Sequence, residues 1–426
     1  MTEGKIVVGV DIGTSKIVSL IARINEVVNV LGVSEVKSSG IKKGQIVDIE
    51  DAVTSINNSL ESAERMAGYS ASKVVISIGG GHIESQNSRG VVAVSHPDGE
   101  ITENDLARVI DAAKAISLPS TREIIHVLPR SYTVDGQEGI KDPIGMTGIR
   151  LEVDTHIISA SSTAIRNLER AFSEVGVDVD AVVFSGYASS LSALSDTEKE
   201  LGVVLIDIGA GTIDISVFVE GSVAYSAVLP IGARHITNDL AIGLRISLES
   251  AEKIKLHLSD LSGETRRVTQ ETTDRKNTDE IDLGSLNLPE EISKVSYKTL
   301  VDGIIRPRLN EIFTFIGLEI KKSGYAGQIP SGLVITGGGA NTVGIKEAAR
   351  RMLAMPVRIG SPVGIKGIID EIQSSSFPTV VGLVKYGGSL DGKTSLPFGF
   401  SLPNLSGLKF NKSFSKIISF LKSFIP

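Results

Sequence analysis

The sequence contains no cysteine and no tryptophan, and aromatic residues make up 4% of its 426 positions. Without cysteine there is no disulfide, no thiol nucleophile and no thiolate metal site, a composition that fits a reducing compartment. No apolar run approaches the roughly 20 residues that a bilayer-spanning helix needs. The first apolar run starts at Ile6, so no export signal is expected ahead of it. His82, His96, His126, His156, His235 and His257 show no metal-ligand spacing and read as core or surface residues. Basic residues are outnumbered, 43 against 50, for a net charge of −7, and no basic patch is interleaved with aromatics. That balance argues against nucleic acid as a partner of the body. What is present is a globular composition, 41% hydrophobic, in a chain long enough for roughly two to four compact units.

Two segments about two hundred residues apart are nearly the same: VGVDIGTSKI around Asp11 and LIDIGAGTIDIS around Asp207. Each reads as a buried strand (6–10, 203–206), a tight Asp-x-Gly turn and a second strand (17–22, 212–219). Small residues at Gly13, Thr14, Gly209, Ala210 and Gly211 let the backbone come close to a ligand, so that successive N–H groups converge on phosphate oxygens. A carboxylate beside such a loop repels phosphate unless a cation lies between. Asp11 and Asp207 are therefore expected to hold a hydrated Mg²⁺, which keeps several waters and needs few carboxylates. A third segment, SGLVITGGGANTVGI, runs from an apolar strand into Gly337, Gly338 and Gly339 and then a helix. In a fourth, AEKIK, Glu252 and Lys255 lie three apart on one helical face. They suit a ribose and an adenine edge, or form a solvated surface pair.

In chain order, VGVDIGTSKI, LIDIGAGTIDIS, AEKIK and ITGGGANTVGI are similar to the phosphate and adenosine motifs of the actin, DnaK-type chaperone and sugar kinase superfamily. Within it the chain resembles the FtsA family of bacterial cell-division proteins over essentially its full length. Further matches are FSGYASSLSAL (184–194), LPIGARHITNDLA (229–241), VRIGSP (357–362) and PTVVGLVKYG (378–387). The resemblance implies an α/β, actin-like fold of duplicated ribonuclease H type, two halves around a nucleotide cleft, with a family-specific inserted subdomain. It implies ATP and Mg²⁺ as cofactors, with nucleotide contacts from Asp11, Gly13, Thr14, Ser15, Lys16, Asp207, Gly209, Ala210, Gly211, Thr212, Gly232, Glu252, Lys255, Gly337, Gly338, Gly339 and Asn341. Lys16 is alternatively an exposed strand residue. Where relatives carry a water-positioning Glu or Gln ahead of the second phosphate turn, this chain has Ser185 or Gly186, so slow ATP turnover at most is expected.

The expected division is 1–83, 162–200 and 377–390 as subdomain 1A, 84–161 as an inserted interaction subdomain 1C, 201–250 and 318–376 as 2A, and 251–317 as 2B. In the insertion, 90–95 reads as a strand, 102–115 as a helix, and 123–132 and 148–159 as further strands. By resemblance the insertion meets division partners or neighbouring subunits, and by its residues alone it is equally a structural lobe. After Lys255 comes a polar, charge-rich run. It is followed by a helical stripe through Leu300, Ile304, Ile305, Leu309, Ile312, Phe313, Ile316 and Ile320, in which Pro307 marks a kink or break. In the FtsA family this lobe receives the acidic C-terminal peptide of FtsZ, which places that contact at Lys294, Arg306, Arg308 and Asn310. Salt bridging within the lobe is the alternative.

Residues 391–411 are rich in Gly, Pro and Ser and read as a flexible linker. In 412–426, Phe414, Ile417, Ile418, Leu421, Phe424 and Ile425 fall on one helical face, with Phe420 at its edge and Lys416 and Lys422 opposite. Such a helix lies in an anionic membrane interface rather than crossing it. The rival is a terminal helix docked on the core. The resemblance adds self-assembly into filaments, FtsZ, anionic lipid and other division proteins as partners, and the cytoplasmic face of the cell membrane at the septum as location. Two other functions are open: a soluble actin-fold binding module of the pilus-assembly type, which would lack this tail, and a small-molecule kinase, for which no general base is evident.

Overall fold

The computed structural model describes residues 4–25, 27–268, 279–290, 292–367 and 372–390. The expected linker 391–411 and amphipathic helix 412–426, with all its membrane-facing residues, lie outside them.

The first half is a six-stranded sheet in the order 178–184, 73–78, 5–12, 16–24, 28–37, 365–367. Strands Lys5–Ile12, Lys16–Ile24 and Val28–Lys37 form an antiparallel meander, and Lys73–Ile78 and Asp178–Phe184 add in parallel. Helices cover both faces, which is why these strands are apolar almost without alternation. Val8, Val10, Ile17 and Ile21 pack on helices Ile49–Ala67 and Ser162–Val175. Val7, Val18 and Leu20 turn the other way, onto helix Pro378–Ser389.

The second half repeats the plan in five strands, in the order 222–229, 213–219, 203–208, 333–336, 357–359. The registers match at the turns: Ile12 faces Ile17 across the first hairpin and Ile208 faces Ile213 across the second. Its outer core joins the sheet to helices Arg234–Leu244, Leu248–Val268, Arg306–Ser323 and Ile345–Leu353. The expected stripe is there, with Leu300, Ile305, Leu309, Ile312, Phe313, Ile316 and Ile320 buried. Pro307 does not break it. A π-helical segment, Thr299–Ile305, runs directly into Arg306–Ser323, and the proline sits at that junction, where the hydrogen-bond pattern changes from one helix type to the other.

Helices Ser185–Ala193 and Pro378–Ser389 cross between the halves. They meet backbone to backbone, since a Cβ on Gly382 would stand 1.8 Å from the carbonyl oxygen of Ala188. Ser192 Oγ also donates to Pro378 O at 2.6 Å.

The insertion is a four-stranded antiparallel sheet in the order 84–93, 150–161, 122–134, 137–140, with helix Glu103–Lys114 on one face. Gly90 lets that helix sit close, its Cβ position being 2.2 Å from Val109 O. Thr102 and Asp105 form a capping box, and the hydroxyl and amide donors of Thr102 and Ser95 hold the Asp105 carboxyl down at about 2 against the effect of its burial. The insertion touches more than its parent half. Ser85 and Asn87 on its edge strand bond to Ser226 and Ala224 of strand Ser222–Leu229 in the second half.

Candidate functional site

The two Asp-x-Gly turns close in the same way: Gly13 N donates to Lys16 O at 3.0 Å, and Gly209 N donates to Thr212 O at 2.9 Å. They also face each other. A Cβ on Gly211 would lie 2.9 Å from Thr14 Oγ1 and 3.2 Å from the Cα of Lys43, so the second turn must be bare for the first to approach it. Thr14 Oγ1 accepts from Gly44 N at 3.2 Å, which leaves its proton for another acceptor. The Ser15 side chain is exposed. Lys16 pairs with Glu35 at 2.6 Å and stands 4.8 Å from the centre of the Phe377 ring.

Asp11 and Asp207 come together beneath these turns. Asp11 Oδ1 accepts from Ser77 Oγ at 2.8 Å, and that hydroxyl in turn accepts from Ile12 N at 2.8 Å. Asp207 Oδ2 accepts from Ser189 Oγ at 2.5 Å and Thr379 Oγ1 at 2.8 Å. A third carboxylate, Asp214, pairs with Asp207 across the hairpin. Its Oδ1 is buried and accepts no hydrogen bond from the described residues. In front of it is Gly79, whose Cβ position is 3.3 Å from both Asp214 Oδ1 and Ser185 Oγ.

Burial, then the nearby charge of Asp207, pushes the Asp11 carboxyl up to about 6, against the pull of Ser77 and Lys16. Burial raises Asp207 too, against Ser189, Thr379 and Lys16. Burial, then Asp207 and Asp11, puts Asp214 well above the usual carboxylate range. Asp11 and Asp207 supply carboxylate oxygens of the kind a hydrated divalent cation suits, and the orphaned oxygen of Asp214 adds negative charge beside them. Among the described residues no group of three acidic or histidine side chains is placed to chelate one ion. A cation here would take its remaining ligands from water and phosphate.

The other expected contacts surround this centre. Gly337, at φ 85°, has its Cβ position 2.4 Å from Asp207 Oδ1, and Gly339 lies against Ile208. Gly338 and Asn341 begin and end the short turn that follows. Asn341 Oδ1 accepts from Ser375 Oγ at 2.9 Å. Gly232 supports the second turn, its Cβ position falling 2.6 Å from the carbonyl oxygens of Gly209 and Ala210. Ala233 N and Arg234 N donate to those same oxygens at 2.9 and 3.0 Å. Glu252 and Lys255 are solvated on the Glu252 side only. The ammonium is buried and donates to Glu252 Oε2 at 2.7 Å and Thr237 Oγ1 at 2.9 Å, which ties the pair to the helix that starts at the second turn.

Spacing alone missed Asp214, Ser77, Ser189, Thr237 and Thr379. The signal for Asp214 is the second aspartate of LIDIGAGTIDIS, and for Ser189 and Thr379 it is a hydroxyl among the small and apolar residues of FSGYASS and PTVVG.

In the second lobe each expected peptide contact already has a partner. Lys294 pairs with Glu280 at 3.6 Å and Arg306 with Asp302 at 2.6 Å. Arg308 grips Asp239 with two bonds, at 2.6 and 2.9 Å, and also pairs with Glu311. Asn310 Oδ1 accepts from Arg351 at 2.7 Å. Arg308, Asp239, Ile304 and Pro307 line a cavity of about 280 Å³.

A duplicated sheet with two facing turns over a pair of aspartates, and two helices crossing behind them, defines an actin-like fold. Solved structures share it: a PilM-PilN type IV pilus biogenesis complex, with a TM-score of 0.60 at 14% identity over 90% of this chain and 98% of that one, and MreB 5 of Spiroplasma citri bound to AMPPNP, with 0.51 at 14% over 90% and 95%. The profile described as "SHS2 domain inserted in FTSA" matches residues 80–159, and "Cell division protein FtsA" matches 204–382. Cell division protein FtsA of Pseudomonas aeruginosa is 38% identical over 393 residues, 90% of each chain, and that of Borreliella burgdorferi is 40% identical over 383 residues, 89% of this chain and 90% of the relative. That of Escherichia coli K12 is 33% identical over 399 residues, 91% of each. The chain belongs to the FtsA family of cell-division proteins. Among the described residues no helix is long and apolar enough to cross a membrane.

Proposed function

We propose that the chain binds Mg-ATP between its halves, self-associates into filaments and ties FtsZ to the cytoplasmic face of the cell membrane at the division site, recruiting later division proteins through the insertion. The facing turns above Asp11 and Asp207 carry this reading, because bare backbone at Gly13, Gly209 and Gly211 stands beside a buried pair of carboxylates. Thr14 Oγ1 has a proton to donate, and Lys16 tempers the negative charge of the aspartates. Asp11 and Asp207 would hold the waters of Mg²⁺, whose charge offsets that of the phosphates when bound. Ser185 or Gly186 stands where relatives carry a water-positioning Glu or Gln, and the Ser185 hydroxyl donates to Ile78 O at 3.1 Å, in keeping with slow hydrolysis at most. ATP then acts by favouring one angle between the halves, a population shift.

Lys294, Arg306, Arg308 and Asn310 remain the proposed seat of the acidic FtsZ peptide, which must compete with the internal carboxylates Glu280, Asp302, Asp239 and Glu311. The membrane arm of the proposal rests on the sequence pattern of Phe414 to Ile425. Sedimentation with anionic liposomes tests it, using the full chain and a chain stopped at Ser406, each with and without Mg-ATP. The full chain alone should pellet, and more of it with Mg-ATP, as expected for avidity gained on assembly. Pelleting of neither chain would leave a soluble nucleotide-dependent binding module as the better account.

A further inference from the structure

Asp207 is hydrogen-bonded to both helices that cross between the halves. Its Oδ2 accepts from Ser189 Oγ on Ser185–Ala193 at 2.5 Å and from Thr379 Oγ1 on Pro378–Ser389 at 2.8 Å, and the two hydroxyls are 2.9 Å apart. All three side chains are buried. A hydroxyl has one proton to give, so when Asp207 is ionised both protons go to the same carboxylate oxygen. The other oxygen, Oδ1, is left on the side of Gly337, whose Cβ position lies 2.4 Å from it. One oxygen holding both hydroxyls and the other without a hydroxyl donor among the described residues makes an oriented carboxylate. Asp11 is held differently, by the single hydroxyl of Ser77 within its own sheet.

The location of these donors adds a second property. Thr379 is three residues before Gly382 and Ser189 is next to Ala188, the pair at which the helices touch. Turning one helix against the other about that contact moves the two hydroxyls apart, and Asp207 Oδ2 then loses one of them.

We propose that Ser189 and Thr379 are positioning residues for Asp207, fixing the oxygen it offers to the cation and making that offer depend on the angle between the halves. The inference rests on the Mg-ATP reading above. By reciprocity, an occupant that engages Oδ1 stabilises the crossing angle at which both hydroxyls reach Oδ2.

The test uses the full chain with Ser189→Ala, Thr379→Val, which keeps the shape and removes the hydroxyl, and Thr379→Ser, which keeps the hydroxyl. Binding of a fluorescent ATP analogue is titrated against Mg²⁺ and repeated in EDTA. Ser189→Ala and Thr379→Val are expected to raise the Mg²⁺ needed for half-maximal binding about tenfold, the size of a lost hydrogen bond to a charged group. Affinity in EDTA should stay within about twofold and Thr379→Ser should match the unsubstituted chain. Equal losses with and without Mg²⁺, or an unchanged Mg²⁺ requirement in a folded variant, would overturn the positioning role. Failure of the unsubstituted chain to bind the analogue in either buffer would instead defeat the nucleotide reading itself.

Discussion

Ser85 and Ser226 bond each other twice: Ser85 Oγ donates to Ser226 O at 2.6 Å and accepts from Ser226 N at 3.2 Å. One residue belongs to the insertion and the other to the second half, although the insertion interrupts the first. His156 extends the seam, with Nδ1 2.7 Å from Asn87 Oδ1 and Nε2 3.0 Å from Ser226 Oγ. Because the chain has no cysteine, the pair can be tested without background. Ser85→Cys with Ser226→Cys is expected to form one intramolecular disulfide under mild oxidation, seen as a faster band on a non-reducing gel. A double variant that stays reduced while folded would show that the seam is open in solution.

His156 in this seam, and His126, which accepts from Phe184 N in the first half, make the fold sensitive to acid. Burial lowers His126 to about 3, and burial, then Arg130 and His126, lowers His156 to about 3. A depressed histidine contributes nothing pH-dependent above its unfolded value near 6.5. Below that value the unfolded chain takes up a proton that the folded one refuses, so stability is lost as pH falls toward about 3. The cleft aspartates pull the other way, since Asp11 at about 6 gains stability on acidification. Comparison with His156→Gln isolates the histidine. The stability of the unsubstituted chain relative to this variant should fall by about 2 kcal/mol between pH 7.5 and pH 5.0 in urea titrations. Parallel curves would mean that His156 is accessible to protons in the folded state.

Gly382→Ala is expected to cost about 3 kcal/mol, the upper end of what overpacking does. The added carbon would meet Ala188 O at 1.8 Å, and neither helix can yield without moving a half. Gly81→Ala is the matched control, with nothing within 4 Å of its Cβ position, and should melt within about 2 °C of the unsubstituted chain. Equal melting temperatures for the two variants would refute a backbone contact at the crossing.

Asp239 holds the guanidinium that the proposed FtsZ peptide would need. Asp239→Ala leaves Arg308 paired with Glu311 alone and is expected to tighten an acidic FtsZ C-terminal peptide about threefold, while Arg308→Ala weakens it about tenfold. Fluorescence anisotropy of the labelled peptide reads both. Indifference to both changes would move the peptide elsewhere on the protein.

The duplicated halves were legible because each turn is announced by its own strand, aspartate and glycine, and a strand covered on both faces reads as one apolar run, as in 203–208. The edge strand of the insertion was not. It starts at Glu84 rather than at residue 90, and its first residues are polar because Ser85 and Asn87 face the second half. A helical period places Glu252 and Lys255 on one face but cannot say that Thr237 of another helix buries the lysine. Ser189 and Thr379 act on Asp207 from 18 and 172 residues away, a relation that only the crossing of two helices creates. Pro307 signalled an irregularity, and the structure has a change from a π to an α pattern beside it, a distinction that the apolar period does not carry.

At Gly382 and Ala188 no side chain lies between the helices, so no rotamer there can lengthen or shorten the gap. A joint of this kind permits swivel and resists stretch. Were the cleft to take the proposed nucleotide, its closing would reach distant surfaces as a turn, whose displacement grows with distance from the joint. Subunits strung end to end through such surfaces would add up those turns, and the curvature of the string would record how many clefts are filled.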